Sequence, residues 1–168
     1  MYVIMGGTGH VGSATAQALL ARGQAVTIVT RSAARAERWR AQRHGVILAL
    51  SATSAGLSGR DRVYHHTGGF AVACTAVEAM ARSFAGELGR HGVRVVCLRS
   101  DALPETWPRE AQAELREIKD YMDAGTALGR LPRLDEVAAA AAFAASDRAS
   151  AMTGAILNLT CGSIMDAD

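Results

Sequence analysis

The sequence predicts an α/β fold, a doubly wound parallel sheet of about five strands in the order 2-1-3-4-5 with helices on both faces. Three observations predict it. Short apolar strand patterns alternate with helical ones along the 168 residues. A Gly-x-x-Gly-x-x-Gly turn, Gly6 to Gly12, joins the first strand to the first helix. Hydrophobic residues make up 49% of the chain, enough for a core that covers both faces of a sheet.

The elements follow in order. Tyr2 to Met5 is an apolar run that ends in glycines, as a strand buried on both faces does. A helix is expected from Val11 to Arg22, with Val11, Ala14, Ala18 and Leu19 inward and Gly23 as its C-cap. Ala25 to Thr30 reads as a second strand, and Ser32 can cap a short helix reaching Gln42. Val46 to Ser51 reads as a third. The stretch from Ala52 to Gly69 has no regular pattern, and loops of this length are often functional. Phe70 to Leu88 predicts a long helix with Ala73, Val77, Met80, Phe84 and Leu88 on one inward face and Glu78 paired to Arg82. Val93 to Leu98 is a fourth strand and Pro108 to Met122 a helix. Asp135 to Ala145 is an alanine-rich helix, and Ala155 to Leu159 a fifth strand. Neither a repeat nor a linker divides the chain, so residues 1–168 are expected to form one domain.

Composition excludes several functions. The net charge is +2 with 20% charged residues, and there is no basic stripe with interleaved aromatics for a nucleic acid. Cys74, Cys97 and Cys161 are far apart and show no metal-ligand spacing, so no metal is expected. No run approaches the ~20 apolar residues of a membrane span. The chain opens into a strand without the zones of a signal peptide, which leads us to expect a cytoplasmic protein.

The glycine turn carries the chemistry. Gly6 permits the tight exit from the strand, Gly9 lets backbone approach a pyrophosphate, and Gly12 allows close helix–strand packing. Thr8, His10 and Val11 complete the cradle, whose free N–H groups and partial positive charge attract a diphosphate. This is a Rossmann-like arrangement. An acidic residue closing strand 2 would bond a free ribose hydroxyl, but the residues there are Thr30-Arg31-Ser32. Arg31, helped by Ser32, can pair with a 2′-phosphate, favouring NADP over NAD; the alternative is a solvated surface charge.

Together these residues resemble the short-chain dehydrogenase/reductase family over nearly the whole chain. Gly6-Gly-Thr-Gly-His-Val-Gly12 and Thr30-Arg31 look like its extended or atypical branches. Ser51-Ala-Thr-Ser-Ala-Gly56, Ala76 to Gly89 and Gly92 to Leu98 are similar to its main branch. Asp135-Glu-Val137, Ala145-Ser-Asp147, Thr153-Gly154 and Gly162 match that branch's tail. The resemblance implies an oxidoreductase acting on a small carbonyl or alcohol. It places Thr53 at the catalytic serine position, with Ser51 and Ser54 alongside, and Thr106 within reach of the nicotinamide amide.

The departures are as informative. The family's tyrosine, which exchanges the proton with the substrate oxygen, falls at Phe70. Its lysine, which lowers that tyrosine's pKa and holds the nicotinamide ribose, falls at Cys74. Lys119, the chain's one lysine, lies on a later helix. The usual Pro-Gly after strand 4 is Ser100-Asp101. Two strand–helix units that normally precede the serine-bearing strand are absent, since Gln42 runs almost directly into Val46. If that strand closes against strand 1, Thr53 and Phe70 shift by ~4.8 Å. A misplacement near 1 Å costs ~10²-fold in rate, and loss of a general acid ~10²–10⁴-fold. If it does not close, exposed strand edges favour a homo-oligomer. His66, with His65 and Tyr64, offers a replacement acid or base, or is an exposed loop residue. Cys74 is a nucleophile or a packed thiol. Two functions stay open: an NADP-dependent oxidoreductase with a replaced Tyr/Lys pair, and a non-catalytic NAD(P)-binding sensor or partner subunit.

Overall fold

A computed structural model of the chain describes residues 2–5, 10, 14–15, 21, 26–29, 45–56, 69–111 and 113–166. Strands β1 (Tyr2–Met5) and β2 (Val26–Val29) pair in parallel from Tyr2 opposite Val26 to Met5 opposite Val29. Strands β3 (Gly45–Ala52), β4 (Val93–Ser100) and β5 (Ile156–Leu159) form a second parallel ladder in that order. β1 also comes within 8 Å of β3, measured between Cα atoms. No hydrogen-bonded ladder joins β1 to β3 among the described residues, so the order is set within each ladder, β1 beside β2 and β3-β4-β5 as the sequence predicts.

Residues pack on both faces of β4 in strict alternation. Val93, Val95 and Cys97 meet Ala81, Ala85 and Leu88 of helix α1 (Phe70–Leu88) on one side. Val96 and Leu98 meet Ala141, Ala144 and Ala145 of helix α3 (Leu134–Ala145) on the other. All five β4 side chains are essentially inaccessible to solvent. Period-two alternation between two helical layers is what a doubly wound sheet requires, and the small alanines let each helix approach the backbone. Arg94 ties α3 to the sheet: its Nη1 and Nη2 donate to the carbonyls of Ala144 and Ser146 at 2.9 and 3.0 Å, capping the helix's negative end.

Two expectations need correction. α1 keeps its bounds, but the inward face is Cys74, Glu78, Ala81, Ala85 and Leu88, while Met80 and Phe84 are exposed and Val77 only half-buried. α1 is apolar nearly all round, so helical periodicity allows more than one inward face, and Glu78 selects this one by pairing with Arg99 rather than Arg82. The second correction concerns Pro108 to Met122. Leu103 and Trp107, each preceding a proline, are extended, and the chain there turns at Pro104–Thr106 and Arg109–Ala111. Helix α2 spans only Arg116–Ala124. The expected helices over 11–22 and 32–42 lie largely or wholly outside the described residues, as does most of the 52–69 loop.

β5 ends in a reversal through two left-handed residues, Cys161 (φ +53°) and Gly162 (φ +82°). A Cβ on Gly162 would stand 2.6 Å from the Ala127 Cβ, so two objections act there together. Gly162→Ala should therefore destabilise by roughly 2–4 kcal/mol in chemical denaturation, from the left-handed strain and the overpacking. Cys161→Gly, which relieves only strain, should be neutral or stabilising by up to about 1 kcal/mol. A Cys161→Gly variant clearly less stable than the parent would show that the thiol's packing outweighs the backbone strain.

Candidate functional site

The register of β3 against β4 positions the candidate site. Ser51 stands opposite Arg99 and Ala52 opposite Ser100, so Thr53 and Asp101 emerge side by side at the carboxyl end of the sheet. In open α/β sheets that end is where ligands bind. Thr53 begins a short 3-10 turn, Thr53–Ala55, and is buried. Its Oγ1 donates to Asp101 Oδ1 at 3.4 Å. Asp101 is also buried, and accepts from Ser163 Oγ at 2.5 Å and from the Ala102 N–H at 2.8 Å. Three donors thus satisfy the Asp101 carboxylate.

A second buried carboxylate, Glu78, stands in the middle of α1. Arg99 Nε and Nη2 each donate to Glu78 at 2.7 Å, a bidentate pair between side chains only 10% and 6% exposed. Ser51 Oγ adds a third donor to Glu78 at 2.9 Å. Arg99 Nη1 reaches outward to Asp166, which is half-exposed. Burial by itself would raise the Glu78 carboxyl. The hydrogen bonds from Arg99 and Ser51, with the charges of Arg99 and Arg82, outweigh it and hold the pKa below the usual glutamate value. The hydrogen bond to Glu78, first among several causes, keeps Arg99 firmly charged. Burial, then the Glu78 charge, pushes the Cys97 thiol up to about 11, so it stays protonated at neutral pH.

The predicted site residues fall in different places. Thr53 stands at the site. Phe70 opens α1 with 47% of its surface exposed, and Cys74 faces inward and is buried. Thr106 sits in the Pro104–Thr106 turn, its hydroxyl donating to the Leu103 carbonyl at 2.8 Å. His10 is helical and exposed. Gly6, Thr8, Gly9, Val11, Gly12, Arg31, Ser32 and His66 lie outside the described residues, as do Tyr64 and His65. Asp101, Ser163 and the Glu78–Arg99 pair were missed. A signal for the pair was present: one glutamate on an apolar helix face and one arginine closing an apolar strand need each other.

A family model described as enoyl-(acyl carrier protein) reductase matches residues 26–163. The chain belongs to the short-chain dehydrogenase/reductase family. An L-rhamnose 1-dehydrogenase (NAD(P)(+)) of a Sphingomonas species is 36% identical over 116 residues, 67% of this chain and 42% of that protein. Among solved structures, a short-chain dehydrogenase/reductase family oxidoreductase from Burkholderia thailandensis superposes with a TM-score of 0.75 at 20% identity, covering 96% of this chain and 91% of the other. A gluconate 5-dehydrogenase from Burkholderia cenocepacia, in complex with NADP and tartrate, reaches 0.63 at 22% identity, covering 76% and 48%. These likenesses show the fold. The chain spans between 30% and 48% of the length of the curated relatives it matches.

The family's cofactor is an NAD(P) dinucleotide. Phe70 carries an exposed phenyl ring and Cys74 a buried thiol, and the Thr53 hydroxyl donates to Asp101. No helix among the described residues is long and apolar enough to cross a membrane.

Removing one partner of the buried pair should be costly. Arg99→Ala should destabilise by about 3–5 kcal/mol, because it strands the Glu78 carboxylate, whereas Glu78→Leu with Arg99→Met should recover most of that loss. Glu78's folded-state pKa lies below its unfolded value of 4.5. Its stabilisation is therefore complete above about pH 4.5 and is lost as the pH falls through the lower folded-state value. Ser51→Ala removes a donor to the ionised form, so the acid-unfolding midpoint should move to higher pH. An unchanged midpoint would contradict the assigned hydrogen bond.

Proposed function

We propose that residues 1–168 form one cytoplasmic NADP-binding domain of oxidoreductase type, whose substrate class is a small carbonyl or alcohol and whose turnover is strongly depressed. Binding rests on the glycine turn: Gly6, Gly9 and Gly12, with Thr8, His10 and Val11, would hold the pyrophosphate, and Arg31 with Ser32 the 2′-phosphate of NADP in preference to NAD. A relative that acts with NAD(P) and a structural neighbour that holds NADP support this reading.

The observation that carries the depressed turnover is at α1. A phenyl ring stands at position 70 and a buried thiol at position 74, where the family's proton exchange needs a phenol and an ammonium. Losing a general acid alone removes ~10²–10⁴ in rate. Thr53 and His66 are the polar groups left to act. The second reading, a dinucleotide sensor or partner subunit without catalysis, is favoured by the Asp101 cluster. It occupies the hydroxyl at position 53 that would otherwise meet a substrate oxygen.

Calorimetry should show NADPH binding in the micromolar range, several-fold tighter than NADH, with Arg31→Ala narrowing the difference. Absence of binding to either dinucleotide would sink the proposal. Phe70→Tyr with Cys74→Lys should raise reduction of a carbonyl panel by at least tenfold over the parent. A parent that already turns over at ordinary rates, ~10 s⁻¹, would refute the depressed-turnover reading.

A further inference from the structure

The chain does not leave the sheet after β5 but returns across its carboxyl end. The reversal at Cys161 and Gly162 is fixed by Asn158, whose Nδ2 donates to the Ile164 carbonyl at 3.0 Å. Three contacts then fasten the returning segment. Ser163 Oγ donates to Asp101 Oδ2. The Ile164 side chain is buried against Gly56, so closely that a Cβ on Gly56 would stand 2.9 Å from Ile164 Cδ1. Asp166 pairs with Arg99. Each anchor belongs to the site: Asp101 receives the Thr53 hydroxyl, Gly56 closes the turn that Thr53 opens, and Arg99 holds Glu78.

We propose that residues Gly162–Asp166 are a strap latched across the carboxyl ends of β3 and β4, and that a ligand enters the crevice there only when the strap lifts.

The latch is built to release. If Asp166 leaves, Arg99 keeps both hydrogen bonds to Glu78. If Ser163 leaves, Asp101 keeps Thr53 and the Ala102 N–H. Lifting therefore strands no buried charge, and the opening is local rather than a step of global unfolding. Asp166 is about half-exposed, and Met165 beside it is 72% exposed. The buried Ile164 gives closure a preferred seat, and Gly56 is the residue that leaves room for it. That the entering ligand is NADP or its carbonyl substrate rests on the function proposed above; the latch itself does not.

The test separates the two. Thr53 is only 2% exposed when the strap is closed. In a Cys161→Gly background, Thr53→Cys places a thiol beneath the strap, and its labelling by a soluble disulfide reagent reports opening. Adding Asp166→Ala, which leaves Ser163 on Asp101, should raise that labelling rate at least threefold. In the chain that keeps Thr53, Ser163→Ala with Asp166→Ala should speed amide exchange across 162–166 while the thermal midpoint moves by only a few degrees. Labelling equally slow with and without the latch would overturn the strap. Titrating NADPH into the chain with and without Ser163→Ala and Asp166→Ala should show at least threefold tighter binding to the unlatched form. Equal affinities alongside faster labelling would overturn the gating. Binding to neither would instead remove the dinucleotide reading, while the labelling result still decides the strap.

Discussion

The buried pair between Glu78 and Arg99 constrains everything around it. Each residue is the lone charge on an otherwise apolar inward surface, one in the middle of α1 and one at the end of β4. A single buried charge at either place would cost several kcal/mol, and the two are tolerated because they meet in bidentate geometry with Ser51 as a third partner. The pair consequently sets the rotation of α1 about its axis. With Glu78 turned to the sheet, residues one turn either way, Cys74 and Ala81, must turn inward, and Met80 and Phe84 are left facing outward. The packing of the helix follows from one electrostatic requirement, which the apolar residues alone would not impose.

The same rotation decides what the site can do. It buries Cys74 within the packed layer beneath Ser51 and beside Cys97. A cation does stand nearby, but Arg99 is neutralised in place by Glu78, and its remaining reach is outward to Asp166. The Thr53 hydroxyl is committed to Asp101 in a similar way. Membership of the family fixes the architecture and the class of cofactor. The side chains at the carboxyl end decide activity, and here they bond to one another.

How much of this was legible in the sequence depends on the range of the interaction. β3, β4, β5, α1 and α3 were read to within two residues, because alternating strands and a strong helical run depend on neighbours. The inward face of α1 was misread because nearly every stripe of that helix is apolar, and only a residue 21 positions away, Arg99, breaks the tie. The 3-10 turns before α2 were hidden by a sequence of good helix formers, although Pro104 and Pro108 already restrict Leu103 and Trp107. At the site, Thr53 was legible through the motif around it. Its partners were not, since Ser163 lies 62 residues from Asp101 and no local pattern joins them.

The reversal after β5 shows how a backbone conformation can serve a distant site. Cys161 adopts a left-handed conformation that a non-glycine residue resists, and the cost, of order 1 kcal/mol, must be offset by the surroundings. They do offset it: the Leu128 N–H bonds the Cys161 carbonyl at 3.1 Å, and Ala127 packs against Gly162 so closely that no side chain fits. The connection between α2 and α3 thus braces the turn from outside, while Asn158 braces it from within. Held on both sides, the chain has one path, back over Gly56 and Asp101. The conformation at Cys161 is therefore coupled to the site through Ile164 and Ser163, two residues whose side chains have no role in the turn and every role in what it covers.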